Sequence, residues 1–320
     1  MNDKNNTILY NRVVFKKRKK YQIAYKYLCN HWQLYLLLVP SIIYLLIFRY
    51  YPMYGIQIAF KDFNPGIGIT QSRWIGLKYF ELFLQSPYFS RLLINTLTLS
   101  SLYIVSSFPV PIVLAISLNE CRNKYLRKSV QMVTYMPYFI STVVLVSMMM
   151  QMFSPYGLIN NFMQFLGLNK IDIMSKSSSF RPMYILSGIW QGSGYSAVVY
   201  IAALSGISGE LYEAATIDGA SIFQKIWFID LPSILPTAVI LLILNSGSVL
   251  NVGFEKVFLM QNPLNMNISD VISTYVYRIG LESAQFSFST AIGLFNSVIS
   301  TSIIICVNKI AKKLSNTSLW

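Results

Sequence analysis

The stretch ELYEAATIDGASIFQKIWFIDLP, Glu210 to Pro232, carries five charged residues and lies between two long apolar runs. A simple connection between two membrane spans needs only a few polar residues. This one is more than twenty residues long and is patterned as two short helices. We therefore expect it to do more than join two spans.

The pattern inside this stretch predicts a helix, a sharp turn and a second helix. The stretch from Glu210 to Asp218 contains good helix formers (Glu, Leu, Tyr, Glu, Ala, Ala), and Gly219 can adopt the positive φ that ends a helix. Ser221 and Gln224 have the spacing of a capping box, which starts the next helix. One face of that second helix is apolar, formed by Ile222, Ile226 and Ile229. Leu231-Pro232 then leads into the following apolar run.

The small side chains of Ala214 and Ala215 allow another surface to approach the first helix closely, and Glu213 and Asp218 add fixed charge beside them. This suits docking into a cleft of a cytoplasmic partner. A helix lying on the membrane surface would show the same amphipathic pattern, because such a face reports burial but not the burying partner. The pattern alone leaves both interpretations open.

The composition of the whole chain indicates an integral membrane protein. Of its 320 residues, 54% are hydrophobic and 12% charged, whereas soluble domains carry about 25% charged residues. Crossing the bilayer takes roughly 20 apolar residues, and six segments qualify. The predicted spans are Leu34–Tyr54, Leu92–Asn119, Val130–Phe153, Met183–Leu204, Ile234–Gly253 and Phe286–Asn308. The expected fold is therefore all-α, with six transmembrane helices and a break near Pro109 and Pro111 in the second.

The positive charges predict which side of the membrane each connection faces. Lys and Arg concentrate in the tail before residue 34, in the connection 119–129 and after residue 308, which places both termini in the cytoplasm. We expect a basic N-terminal tail (1–33), a six-span domain (34–308) with the loop 206–233 on the cytoplasmic side, and a short tail (309–320). No cleavage site follows the first basic run, so the first span is expected to stay uncleaved.

Several function classes are disfavoured by what the sequence lacks. The net charge of +14 lies beside apolar spans, and no nucleic-acid-binding motif accompanies it. A phosphate loop and a nucleophile elbow are missing, and the single histidine, His31, excludes a His-based triad or a His cluster for a metal. We therefore expect a non-catalytic protein without a cofactor or metal of its own. The predicted spans hold no line of acidic residues, which argues against proton coupling.

The opening stretch resembles the EAA motif of ABC-importer permeases, in which E-A-A, three residues, G, nine residues and I-x-L-P follow one another. Here Glu213-Ala214-Ala215, Gly219 and Ile229-Asp230-Leu231-Pro232 keep both gaps. Further stretches, YPMYGIQIAFKDFNP from Tyr51 and DVISTYVYRIGL from Asp270, are similar to the LplB-like permeases of carbohydrate importers. The resemblance covers about residues 34–320 and implies the type I importer architecture with a cytoplasmic coupling helix.

The resemblance also implies how such a chain works. It would form half of a pore in the bacterial cell membrane, together with a second permease, two cytoplasmic ATPases and an extracytoplasmic solute-binding protein. ATP and Mg²⁺ would be bound by the ATPases and not by this chain. The implied residues that couple the chain to the ATPase are Glu213, Ala214, Ala215, Asp218 and Gly219.

Oligo- or polysaccharide import fits the residue types available, since sugars need hydrogen bonds and aromatic faces. Amides in apolar runs also hold membrane helices together, so pathway lining is one of two interpretations. The candidates are Gln191, Asn245, Asn95, Trp190, Tyr195 and Asn251. A non-sugar solute, an ion-coupled secondary carrier, and a scaffold or sensor remain alternatives.

Overall fold

The computed structural model of the chain describes residues 30–170, 173–174, 176–247, 249–250, 252–315 and 318. The predicted N-terminal tail, 1–33, therefore lies almost wholly outside the described residues. The chain divides into two compact units between Gln57 and Ile58. The described residues are mostly helical, as predicted, with one small two-stranded sheet. In that sheet β1 (Lys61–Asp62) runs antiparallel to β2 (Arg73–Trp74).

The first unit contains helix α1, Trp32–Leu45, which is rich in Leu and Ile and has Pro40 inside it. The helix continues through a π-helical turn, Leu46–Tyr50, and then a 3₁₀ segment, Tyr51–Phe60, within which the first unit ends at Gln57. Together Trp32–Phe60 is 29 residues of apolar helix with none of its most apolar window buried. A helix that is apolar on every side suits a lipid environment, which agrees with the predicted span Leu34–Tyr54.

The second unit holds all other helices of the described residues. They are α2 (Gly68–Gln71), α3 (Lys78–Gln85), α4 (Pro87–Ser107), α5 (Pro109–Glu120), α6 (Lys124–Tyr135), α7 (Thr142–Met152), α8 (Leu158–Phe165), α9 (Ser177–Ser205), α10 (Gly209–Ile217), α11 (Ile222–Lys225), α12 (Leu231–Ser246), α13 (Phe254–Met260), α14 (Met266–Ser269), α15 (Ile272–Tyr277) and α16 (Phe286–Ser315). Two π-helical turns, Ile226–Asp230 and Arg278–Glu282, precede α12 and follow α15.

The described residues contain four helices long and apolar enough to cross a membrane, or five if one bent pair counts as a span. The four are Trp32–Phe60, Pro87–Glu120, Ile222–Ser246 and Phe286–Lys313. The predicted span Met183–Leu204 lies within α9, a single helix of 29 residues. Apolar helices long enough to span a membrane are thus confirmed, while the count of six stays a prediction.

The predicted third span, Val130–Phe153, is not one continuous helix. Its residues belong to α6 and α7, and the segment Lys124–Phe139 is bent by 99° against Thr142–Met152. A 3₁₀ turn, Met136–Phe139, contains Pro137 at the bend, and the Ser141 hydroxyl accepts a hydrogen bond from Val144 N at the start of α7. Pro137 removes a helical donor, but Met136 before it keeps helical dihedrals, and the chain becomes extended only at Ile140 and Ser141.

The predicted fifth span, Ile234–Gly253, is displaced toward the N-terminus. The helical segment begins at Ile222 and ends at Ser246, seven residues before Gly253. A π-helical turn at Ile226–Asp230 joins α11 to α12 just before Pro232. Pro232 has no backbone N–H to donate, and the π turn before it changes the hydrogen-bond spacing so that the helix can continue. The helix therefore runs on where a separate surface helix was predicted.

Helix α9 lies at the centre of the packing of the second unit. Its buried residues Phe180, Tyr184 and Ile185 belong to a cluster with residues of α4, α7 and α13. Farther along α9, Ala197, Tyr200 and Leu204 pack with residues of α5 and α12. A third cluster joins α3 and α4 to α15 and α16. Because α9 contributes residues to the first two clusters, it fixes the positions of the helices that pack around it.

Candidate functional site

The first half of the stretch from Glu210 to Pro232 is helix α10. The hydroxyl of Ser208 caps its start by accepting a hydrogen bond from Glu210 N at 3.3 Å. Gly219 ends it with φ +74°, which glycine adopts without cost. Gly219 N donates to Thr216 O at 3.1 Å and Ala220 N to Ala215 O at 2.8 Å, the two bonds of a Schellman motif. The predicted helix and glycine turn are confirmed.

The second half starts at a capping box, as its spacing predicted. Gln224 N donates to the Ser221 hydroxyl at 3.4 Å, and Ser221 N donates to Gln224 Oε1 at 2.7 Å. The ammonium of Lys225 donates to the Thr216 hydroxyl at 2.7 Å, which ties α11 back to α10. The two short helices therefore form one hairpin-like unit, here called the coupling loop (Ser208–Asp230).

Tyr212 attaches the coupling loop to two long helices, a link that the sequence analysis did not identify. Its hydroxyl donates to Asp230 Oδ1, and Asp230 is fully buried just before α12. Asn119, at the end of α5, also hydrogen-bonds the Tyr212 side chain. Burial, and then the bond to Asp230, raise the pKa of Tyr212, so its hydroxyl stays protonated at physiological pH. The signal for this contact in the sequence was Asp230, an acidic residue inside the I-x-L-P motif.

The five predicted coupling residues lie on the outside of the loop. Glu213, Ala214, Asp218 and Gly219 are exposed and Ala215 is partly exposed. Beside them the loop also exposes large apolar side chains, which a water-facing loop does not need. These are Leu211, Ile217, Ile222, Phe223, Trp227 and Phe228. Exposed apolar residues grouped with small ones mark a surface that another molecule can cover.

A cavity of about 770 Å³ lies among the long helices of the second unit. Its walls come from α4, α5, the bend between α6 and α7, α9, α12 and the segment leading into α13. The bend contributes Tyr138, whose ring stacks on that of Tyr195 with centroids 4.0 Å apart and planes 8° apart. Gln191 Nε2 donates to Ile140 O at 2.8 Å and fixes the bend against α9. The broken third span therefore builds one wall of the cavity.

Three of the six predicted pathway residues line this cavity: Gln191, Tyr195 and Asn245. Trp190 is exposed on α9 and is not part of the cavity wall. Asn95 is buried elsewhere, where its amide donates to the carbonyl of Asp270 and accepts from Arg181. Asn251 lies outside the described residues. The role of all six in transport stays a prediction.

Lys256 is a cavity residue that the sequence analysis missed, because residue 256 was assigned to an outer connection. It lies in the first turn of α13, the helix that follows the end of α12 at Ser246, and its side chain is buried. As for metals, the described part of the chain contains no group of three or more His, Cys, Asp or Glu that could hold an ion. Lysine, amide and hydroxyl side chains are the polar groups of the cavity wall.

Comparison with known families gives a match over residues 107–316 to the family described as binding-protein-dependent transport system inner membrane component. The match includes the coupling loop and most of the cavity wall.

Two curated relatives from Bacillus subtilis (strain 168) match nearly the whole chain. Protein LplB is 43% identical over 288 residues, which is 90% of this chain and 91% of the relative. The polygalacturonan/rhamnogalacturonan transport system permease protein YteP is 42% identical over 309 residues, 96% of each chain.

The structural comparison agrees. A chain in the crystal structure of a bacterial ABC transporter involved in the import of the acidic polysaccharide alginate is 41% identical, with a TM-score of 0.83. The alignment covers 91% of this chain and 99% of that one. A chain of the same kind of transporter, in complex with an alginate pentasaccharide-bound periplasmic protein, gives a TM-score of 0.84 at 40% identity.

Proposed function

The chain belongs to the family of binding-protein-dependent transport system inner membrane components, and from this premise we propose how it works in an ATP-driven saccharide importer. It is a membrane permease of an ABC transporter. Several of its relatives are named as transporters of saccharides, and the substrate of this chain is accordingly an oligo- or polysaccharide. The observation that carries the proposal is the coupling loop, a rigid two-helix unit tied to two long helices.

In this proposal the chain forms half of a pore with a second permease. Two cytoplasmic ATPases bind ATP and Mg²⁺, and an extracytoplasmic binding protein delivers the saccharide. The solved relative in complex with a periplasmic binding protein supports that last partner. The chain crosses the bacterial cell membrane six times, with both termini and the coupling loop in the cytoplasm, since the basic residues lie at those positions.

The exposed face of the coupling loop docks on an ATPase. The small residues Ala214 and Ala215 allow close approach, and Ile217 and Phe223 supply apolar area around them. Tyr212 and Lys225 keep the two helices in a fixed arrangement, so a push on α10 is delivered to α5 and α12. A conformational change needs a differential interaction in the two states, and ATP-dependent movement of the docking site supplies it.

Site-specific photocrosslinking tests the docking face and the orientation together. A crosslinking amino acid at position 217, where Ile217 is 86% exposed, should capture the ATPase in the purified assembly. The control position is 281, since Leu281 is 66% exposed in the predicted outer connection and should not capture it. Capture from 281 and not from 217 would reverse the proposed orientation.

The saccharide itself can be identified from the binding protein. That protein should retain a sugar oligomer after purification, which mass spectrometry would detect. Retention of an amino acid, peptide or ion in place of a sugar would contradict the substrate class while leaving the permease assignment intact.

A further inference from the structure

The wall of the cavity carries a single charged side chain. Among the described residues that line it, Lys256 is the one with a formal charge, and no aspartate or glutamate is present. The other lining side chains are apolar, aromatic, amide or hydroxyl groups. A lone cation in an otherwise neutral cavity is costly, because a buried charge is paid for in lost hydration. It therefore calls for a functional reason.

The contacts of Lys256 leave its charge without a counter-ion. The residue is 8% exposed, its Nζ donates to Tyr184 O at 3.0 Å, and Nζ lies 4.8 Å from the centroid of the Tyr184 ring. The ion pairs within the described part of the chain join Asp270 to Arg278 and Arg91, and none includes Lys256. A backbone carbonyl and a ring orient the ammonium but do not neutralise it.

The surrounding helix is shaped to hold the ammonium at this place. A Cβ atom at Gly188 would lie 3.3 Å from Lys256 Nζ and 2.7 Å from Tyr103 Cε2, so only glycine leaves the space open. An ammonium has three donors, and Tyr184 O accepts from one of them. The other donors make no hydrogen bond to the described protein atoms, which leaves them for a molecule in the cavity.

We propose that Lys256 is the anion-recognition point of the cavity and that the transported saccharide is acidic, with uronate carboxylates or sulfate esters. This inference rests on the proposed saccharide-import function. Charge-assisted hydrogen bonds from Nζ hold an acidic group, while the stacked Tyr138 and Tyr195 rings, which also line the cavity, offer an aromatic face to a sugar ring. Gln191 and Asn245 also line the cavity, and their amides hydrogen-bond the hydroxyls of the sugar.

Equilibrium binding to the purified permease–ATPase assembly, without the binding protein, tests the proposal with two probes of the same sugar backbone: trigalacturonic acid, which carries carboxylates, and its neutral methyl ester. The wild-type assembly should bind the acid at least about tenfold more tightly than the ester, the range expected for hydrogen bonds to charged groups. Lys256→Met should bind both probes as weakly as the wild type binds the ester, and Lys256→Arg should keep the preference. A sulfated trisaccharide shows whether sulfate esters are accepted as well.

Lys61→Met is the matched control. Lys61 is equally buried, at 9% exposed, and donates to a backbone carbonyl, Ile69 O, at 2.7 Å, but it does not line the cavity. Its loss should leave the preference for the acid unchanged. Equal wild-type affinity for both probes, no binding of either, or a preference that survives in Lys256→Met would each overturn the proposal.

A second measurement separates this proposal from the function on which it rests. ATP-driven uptake is measured in vesicles with whichever saccharide the binding protein carries. If a saccharide is imported but the charge preference is absent, only the role of Lys256 is wrong. If no saccharide is imported while ATP is hydrolysed, the proposed function itself fails.

Discussion

Glu213 is exposed on α10, so the fold of the coupling loop does not depend on its burial. Its neighbours Ala214 and Gly219 are exposed as well. Residues of this kind are expected to matter for a partner more than for stability, because surface substitutions usually change stability by about 0.5 kcal/mol or less. Functional and structural effects can therefore be separated at this position.

We expect Glu213→Lys to abolish saccharide uptake and ATPase stimulation without lowering thermal stability, since the reversed charge acts on the docking surface. Uptake and thermal unfolding of the purified assembly are measured together. Glu210→Lys is the control, because Glu210 is an exposed acid at the start of the same helix and outside the predicted coupling set. Equal loss in both variants would show a general charge effect and contradict a specific role for Glu213.

Tyr212 has the opposite character, since its hydroxyl is held inside the molecule by Asp230 and Asn119. We expect Tyr212→Phe to destabilise the assembly by about 1–3 kcal/mol, because it leaves a buried carboxylate oxygen without its donor. Uptake per ATP hydrolysed should fall as well, since α10 loses its attachment to α12. Thermal unfolding and the ratio of uptake to hydrolysis measure the two effects.

Two variants sharpen the Tyr212 experiment. Tyr125→Phe removes a hydroxyl from a tyrosine that is 87% exposed, and it should change neither quantity. The double variant Tyr212→Phe/Asp230→Leu should recover stability, since both polar partners are then absent, but it should not recover coupling. Wild-type coupling in Tyr212→Phe would show that this hydrogen bond does not transmit the movement.

At the level of elements, α9 and α6 approach each other closely at one glycine. A Cβ atom at Gly194 would lie 2.0 Å from Thr134 O, a backbone atom that cannot move aside like a side chain. We expect Gly194→Ala to destabilise the assembly by about 1–3 kcal/mol through overpacking. Thermal unfolding of the purified assembly measures this loss.

Gly192→Ala is the internal standard for that experiment, because it lies on the same helix and a Cβ atom there would meet nothing within 4 Å. It should be neutral or slightly stabilising, since alanine favours the helix. If the two alanine variants unfold at the same temperature, the close approach of α6 and α9 is not present in the protein.

The elements also show which features of the fold a single sequence can predict. The capping box at Ser221 and the glycine turn at Gly219 are local, and both were predicted at the residues where they occur. The 99° bend after Pro137 and the early end of α12 at Ser246 were missed. The composition of an apolar window does not show whether the chain crosses the membrane straight or folds back. Tertiary contacts decide between the two.

In the candidate site, too, local features were predicted from the sequence and contacts between elements were not. The EAA spacing identified the coupling loop, but nothing in it indicated that Tyr212 binds Asp230, because that contact joins two elements. Gln191, Tyr195 and Asn245 were proposed from residue type and do line the cavity, whereas Asn95 meets the same criterion and is used for packing. Residue type could not separate these cases, and Lys256 was missed because its element was assigned to a connection.

At the scale of the whole molecule, two helices join the coupling loop to the cavity. Helix α12 begins beside Asp230 and carries Leu241 and Asn245 in the cavity wall. Helix α5 carries the cavity residue Pro111 in its first turn and, in its last turn, Asn119, which hydrogen-bonds Tyr212. At 1.5 Å per residue, the distance from Asp230 to Asn245 along α12 is about 22 Å. A movement of the loop therefore reaches the cavity through rigid elements.

We expect this chain to import saccharide only when a partner ATPase drives it through the coupling loop. The most direct measurement is uptake of the saccharide carried by the binding protein into vesicles, with the complete assembly compared to this chain alone. Uptake should require ATP, the ATPase subunits and the binding protein together, and an ion gradient should not replace ATP. Uptake by the chain alone, driven by an ion gradient and indifferent to ATP, would contradict the account.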